Sequence, residues 1–227
     1  MKRKALFIGG TGTISTAITA RIAAEGEWEL TLLNRGSRSD AVPPGVRVIQ
    51  ADISDEADVA RKLAGMQWDC VCDFIGFVPA QVERDWRLFR NCTRQYMYIS
   101  SASAYQKPAV NPYITESTPL SNPHWQYSRD KIACEAFLME KFREEGFPVT
   151  IIRPSHTYDN RSVPLAVHGP KIGNIENTFL LRCAGNCGKK DKEWKKSFHD
   201  VQRYAFPGNP VKDNLTNFAM CTASSFI

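Results

Sequence analysis

Tyr127 and Lys131 lie four residues apart in Tyr127-Ser-Arg-Asp-Lys131. On a helix this spacing puts a phenol and an ammonium on one face. A nearby ammonium favours phenolate and draws the tyrosine towards the working pH, where it serves as general acid or base. Read alone, Tyr-x-x-x-Lys is also what an ordinary surface pair looks like. Upstream stands Ser100-Ser101-Ala102-Ser103-Ala104-Tyr105. A serine hydroxyl there can hydrogen-bond a substrate carbonyl or alkoxide beside the tyrosine, although serine also favours plain polar turns.

A third element precedes both. Gly9-Gly10-Thr11-Gly12-Thr13-Ile14-Ser15 follows an apolar run and opens a helical pattern. Glycine at 9 permits a tight turn, and glycine at 12 lets a pyrophosphate approach the backbone. The phosphates would then meet the helix N-terminus at Thr13 and Ile14, where free N–H groups and the dipole favour negative charge. Ser15 takes the third glycine position and still permits close helix–strand packing. After a first strand this turn predicts dinucleotide binding. At the end of the second strand an acidic residue would hold the ribose of NAD. This chain has Asn34 and Arg35 instead, and a guanidinium suits the 2′-phosphate of NADP. The plainer alternative is a solvated loop arginine.

These residues need elements to position them. Apolar runs at Lys4 to Ile8, Glu29 to Leu33, Val46 to Ile49, Asp69 to Ile75, Gln95 to Ser100 and Val149 to Arg153 predict six strands. Between them, helical patterns run from Thr13 to Glu25, from the end of Asp52-Ile53-Ser54-Asp55 through Leu63, from Pro79 to Cys92, and from about His124 to Glu145. Strand–helix alternation implies an α/β fold, a doubly wound parallel sheet of Rossmann type covered on both faces. Ser101 falls at the carboxyl edge of the fifth strand, where open α/β sheets bind ligands.

Composition sets outer limits. The chain has 227 residues, 43% hydrophobic and 23% charged, as in ordinary globular proteins. Wholesale disorder, a collagen-like fibre and a small disulfide scaffold are thereby excluded. Net charge is +5, too mild by itself to indicate nucleic acid. Residues 172–227 hold eight Lys or Arg against five Asp or Glu, so +3 of the excess belongs to the tail. No apolar run approaches the roughly 18 residues of a membrane span, and glycines stop the apolar start too soon for a signal peptide. Seven irregularly spaced cysteines suit a reducing, cytoplasmic setting.

In combination, the glycine turn, Ser101 with Tyr127 and Lys131, and Arg153-Pro-Ser-His-Thr-Tyr158 resemble the extended short-chain dehydrogenase/reductases, the NAD-dependent epimerase/dehydratase family. The resemblance covers about residues 4–171. It implies that Gly9, Gly12 and Ser15 form the phosphate-binding turn, and that Asp52 and Ile53 border the adenine. It also implies that Ile75 and Gly76 contact the cofactor, that Ser101, Tyr127 and Lys131 are the catalytic triad, and that Pro154 begins the segment beside the nicotinamide. The implied activity is NAD(P)-dependent epimerase or oxidoreductase chemistry on a small-molecule hydroxyl or keto substrate, a nucleotide sugar above all. A homodimer is compatible with it. Sugar-nucleotide dehydratases carry Asp-Glu after the catalytic hydroxyl residue, where this chain has Ala102 and Ser103; dehydration is therefore disfavoured.

The second departure from the family lies after Lys171. Residues 1–171 read as the NAD(P)-binding domain, and 172–227 as an atypical basic tail, a truncated or divergent remnant of a substrate domain. A loosely packed tail is expected from the lost periodicity and from Lys189, Lys190, Lys192, Lys195 and Lys196. Competing readings are a non-catalytic dinucleotide-sensing or RNA-binding protein of this fold, against which the intact Tyr–Lys pair argues, and a truncated inactive product. Cys70 and Cys72 read as core residues on one side of a strand. Cys183, Cys187, His168 and His199 lack metal-site spacing, so no metal is expected.

Overall fold

The computed structural model describes residues 2–111, 113–155 and 157. The expected tail, with its lysine cluster, Cys183, Cys187, His168 and His199, lies outside the described residues. So do His156 and Tyr158 of the segment after Arg153.

The strands are β1 (Arg3–Ile8), β2 (Trp28–Asn34), β3 (Arg47–Gln50), β4 (Cys70–Asp73), β5 (Tyr96–Ile99) and β6 (Val149–Ile152). They form one parallel sheet in the order β3-β2-β1-β4-β5-β6. Helices α1 (Thr13–Glu25), α2 (Glu56–Leu63), α3 (Pro79–Phe89) and α4 (Gln126–Glu145) make the crossovers. This is the doubly wound Rossmann arrangement, and the strand order reverses between β1 and β4.

Both faces of the sheet are covered, which is why the strands read as apolar runs rather than alternations. Ala5 and Phe7 of β1 pack with Leu30, Leu32, Cys70, Cys72, Met97 and Ile99 beneath Ile14, Ile18 and Ile22 of α1. Cys70 and Cys72 therefore share one buried side, as their spacing requires, and burial pushes the Cys70 thiol up to about 12. On the other face, Leu6 and Ile8 pack with Val59 of α2, Val82 and Phe89 of α3, and Leu138 of α4.

Element ends differ from the expected ones for local reasons. Strand β4 stops at Asp73 because its carboxylate Oδ1 accepts the N–H groups of Ile75 (2.8 Å) and Gly76 (3.0 Å). Those donors are then lost to a neighbouring strand. Helix α2 does start after Asp55, as expected, where the Asp55 side chain caps the N–H of Asp58 at 3.0 Å. Helix α4 begins at Gln126 rather than His124, whose N–H is taken by Asn122 Oδ1 at 3.2 Å in the turn before it. It ends at Gly146, in the left-handed region at φ 68°.

A buried polar cluster sits between β4, β5 and α3. The Tyr96 hydroxyl lies 3.2 Å from Asp73 Oδ2 and 3.3 Å from Asp85 Oδ2, and all three residues are fully buried. One hydroxyl hydrogen cannot satisfy two carboxylates. Burial, reinforced by the charge of Asp73, pushes the Asp85 carboxyl well above the usual carboxylate range, against the pull of Arg84. A carboxyl whose pKa rises on folding stabilises the fold at low pH and loses that contribution as pH climbs through the folded pKa. Thermal unfolding is thus expected to fall in midpoint from pH 5 to pH 8, and Asp85→Asn to flatten that slope. The limiting slope for one proton is about 1.4 kcal/mol per pH unit. An unchanged slope in calorimetry of the variant would refute the assignment.

Candidate active site

The glycine turn joins β1 to α1 at the carboxyl edge, next to the point where the strand order reverses. Gly9 holds φ 79° and lies so close to β4's following loop that an added Cβ would stand 2.5 Å from Ile75 Cγ2. Only glycine satisfies both demands. Gly12 differs. An added Cβ there would meet nothing nearer than Ser15 Oγ at 3.4 Å, so the fold does not require glycine. What the bare backbone leaves is open space before the α1 N-terminus. Among the described residues, the N–H groups of Thr13 and Ile14 have no acceptor, as the first turn of a helix dictates. The cradle and its donors fit a pyrophosphate.

The third fingerprint position does more than permit packing. Ser15 Oγ accepts from Gly12 N and donates to Gly9 O, both at 2.7 Å, which staples the turn. Asn34, at the end of β2, accepts from Gly10 N at 3.1 Å, so its amide oxygen is committed to the turn. Arg35 is exposed. Arg38, which the sequence reading passed over, reaches back to donate to Thr11 O at 3.1 Å. Two guanidinium-bearing residues therefore follow β2, and Arg38 lies against the turn. Asp52 is exposed after β3, held below its usual pKa mainly by hydrogen bonds from Ser54. Ile53 turns into the core at 8% exposure.

Around β4, β5 and β6 the triad assembles. Ser101 begins the loop after β5, and Ala102 N donates to Pro154 O at 2.9 Å, which ties that loop to the segment after β6. Helix α4 runs beneath with Ser128, Lys131, Cys134, Glu135 and Leu138 on its buried side, the three-and-four spacing of a packed helix. Tyr127 stands at the rim, half-buried, with the Ser101 hydroxyl close enough to act on its phenol. Lys131 is 2% exposed. Its ammonium donates to Gly76 O at 2.6 Å and to Ile99 O at 2.7 Å. An ammonium carries three donors, so one remains for a ligand.

The electrostatics differ from the simple expectation for a Tyr–Lys pair. Burial raises the Tyr127 pKa, and the Ser101 hydroxyl opposes it. The Lys131 ammonium faces the rings of Tyr98 (4.7 Å to centroid), Phe77 (5.0 Å) and Tyr127 (5.8 Å). Its own pKa is lowered by burial and held up chiefly by Asp73. Asp73 thus acts twice. Its carboxylate folds the Ile75–Gly76 loop, and that loop supplies the carbonyl that holds Lys131. The sequence carried a signal for it, a lone acid inside an apolar strand. Glu135 is a second buried acid. It takes a bidentate pair from Arg153 (2.6 Å from Nη2 to Oε2) and a hydrogen bond from Ser100, which locks α4 to β5 and β6.

The comparisons with known proteins agree with this geometry. The chain overlays an epimerase from Methanothermobacter thermautotrophicus with a TM-score of 0.58 at 15% identity, covering 67% of this chain and 51% of that one. The UDP-Glc/GlcNAc 4-epimerase of Campylobacter jejuni gives 0.58 at 20% identity, covering 66% and 53%. The UDP-glucose 4-epimerase of Brucella ovis, solved in complex with NAD, gives 0.58 at 21%, covering 66% and 51%. At these identities the likeness is one of fold, and the chain spans about half the length of each structure. A search of curated proteins gives no match. A family model described as NAD dependent epimerase/dehydratase matches residues 5–168. With the glycine turn, the serine loop and the Tyr–Lys helix all inside that stretch, the chain belongs to the NAD-dependent epimerase/dehydratase family.

Proposed function

We propose that the chain is an NAD(P)-dependent epimerase or oxidoreductase that acts on a hydroxyl or keto group of a small molecule, a nucleotide sugar being the class its fold relatives act on. The observation that supports this best is the meeting of Ser101, Tyr127 and Lys131 at the carboxyl edge beside the glycine turn. The bound nicotinamide would supply or accept the hydride. Tyr127 would remove the proton from a substrate hydroxyl at its phenol oxygen, or return it to an alkoxide. Ser101 would hold the substrate oxygen against Tyr127. Lys131, anchored by Gly76 and Ile99, would turn its remaining N–H to the ribose hydroxyls. Gly9, Gly12, Thr13 and Ile14 would hold the pyrophosphate, with Asp52, Ile53, Ile75, Gly76 and Pro154 along the rest of the groove. Turnover of a panel of nucleotide sugars and simple carbonyls, followed by nicotinamide absorbance, tests the reading. Tight cofactor binding with no turnover of any of them counts against it.

We also propose that residues 1–171 form the cofactor-binding unit of a cytoplasmic protein and that the preferred cofactor is NADP. The Asn34 amide oxygen is taken by the turn, no acid ends β2, and Arg35 and Arg38 both follow it. Isothermal titration is expected to give tighter binding of NADP than NAD, and Arg35→Asp to narrow or reverse the order. Equal affinities in the parent would sink the preference.

A further inference from the structure

Behind the Tyr127–Ser101 pair lies a chain of hydroxyls that the triad does not use. Ser101 Oγ donates to Ser103 Oγ at 2.9 Å. Ser128 Oγ donates to the same Ser103 oxygen at 2.9 Å. Asn122 Nδ2 donates to Ser128 Oγ at 3.3 Å and to Ser103 O at 2.8 Å. Ser128 and Asn122 are buried, whereas Ser103 is partly exposed. Three elements contribute: the loop after β5, the segment before α4, and the first turn of α4.

The direction of this chain is set at its far end. The His124 backbone N–H can only donate, so Asn122 must present Oδ1 to it and Nδ2 to Ser128. An amide nitrogen also only donates, so Ser128 accepts from Asn122 and spends its own hydrogen on Ser103. Ser103 then accepts from both Ser128 and Ser101, and its own hydrogen has no acceptor among the described residues. That hydrogen is poised to turn towards Ser101.

We propose that Ser103, Ser128 and Asn122 are positioning residues that polarise Ser101 towards Tyr127 and stabilise its phenolate. When the phenol ionises, rotation of two hydroxyls reverses the Ser101–Ser103 bond. Ser128 then donates to Ser103, Ser103 to Ser101 and Ser101 to the phenolate oxygen, every donor pointing one way. Aligned hydrogen bonds strengthen one another in a site shielded from water. Such a chain supplies what the buried Lys131 does not, since that ammonium is committed to Gly76 and Ile99. The other groups around the ring are uncharged: Phe77 from the β4–α3 loop at 6.4 Å between centroids, and Trp125 before α4 at 4.8 Å. Asp73 and Glu135 act on Lys131. The positions involved include Ser103, where the sugar-nucleotide dehydratases carry their glutamate.

The inference rests on Tyr127 being the acid/base, and its test needs neither substrate nor cofactor. The full chain is labelled with [13Cζ]tyrosine and titrated by NMR, with Tyr127→Phe identifying the resonance. Ser103→Ala is expected to raise the Tyr127 midpoint by about 0.7 pH unit, the loss of one ordinary net hydrogen bond. Ser103→Thr, which keeps the hydroxyl at a partly exposed position, is expected to restore it. Ser128→Ala should also raise the midpoint, and the double variant should go no higher than Ser103→Ala, because Ser128 acts only through Ser103. An unmoved midpoint, additive shifts, or no rescue by threonine would overturn the proposal. If Ser128→Ala does not fold, the Ser103 pair decides alone. Full turnover in Tyr127→Phe would instead overturn the acid/base reading while leaving these midpoints standing.

Discussion

Tyr127→Phe is expected to lower redox turnover by about 10²- to 10⁴-fold, the range supplied by one positioned acid/base, while cofactor affinity stays nearly unchanged. The phenylalanine ring keeps the contacts of Tyr127 with Phe77 and Trp125, so the helix and the groove are preserved. What goes is the titratable oxygen that Ser101 addresses. Lys131→Ala supplies the contrast within the same experiment. Its ammonium holds the Gly76 and Ile99 carbonyls together from inside the sheet edge, so its loss should weaken cofactor binding, turnover and the fold at once. Steady-state rates and titration calorimetry on the two variants separate the roles. Parental turnover in Tyr127→Phe would end the catalytic assignment.

Gly12→Val is expected to abolish measurable binding of either dinucleotide with little loss of thermal stability. Its backbone is extended, at φ −85° and ψ −178°, which any residue adopts. Its Cβ would also find only ordinary contacts within the protein. The added side chain would fill the space before the Thr13 and Ile14 N–H groups, where a pyrophosphate has to sit. Gly9→Val is the opposite case: positive φ and the approach to Ile75 make it a folding variant. A loss of binding at Gly12 without loss of folding, and of both at Gly9, would separate the glycine kept for a ligand from the glycine kept for the turn. Undiminished binding in a folded Gly12→Val chain would remove the cofactor site from this turn.

Much of this architecture is legible in the residue order because its causes are local or periodic. A parallel sheet buried on both faces demands apolar runs, and the runs at Leu6, Leu32, Val71 and Tyr98 announce it. Caps and stops such as Asp55 and Gly146 act within a few residues. The glycine turn, the serine loop and the Tyr–Lys helix could be placed at the carboxyl edge because strand direction follows from the alternation itself. Partners distant in the chain were a different matter, and only the tertiary structure chose them. Lys131 is turned inwards by a carbonyl 55 positions away, so burial rather than a neighbouring ammonium governs the Tyr127 phenol. Asn122, Ser128 and Arg38 look like ordinary polar residues in the sequence. Their roles come from what the crossovers bring beside them: a hydrogen bond is decided by position and angle to within tenths of an ångström, and no periodicity in the sequence carries that information.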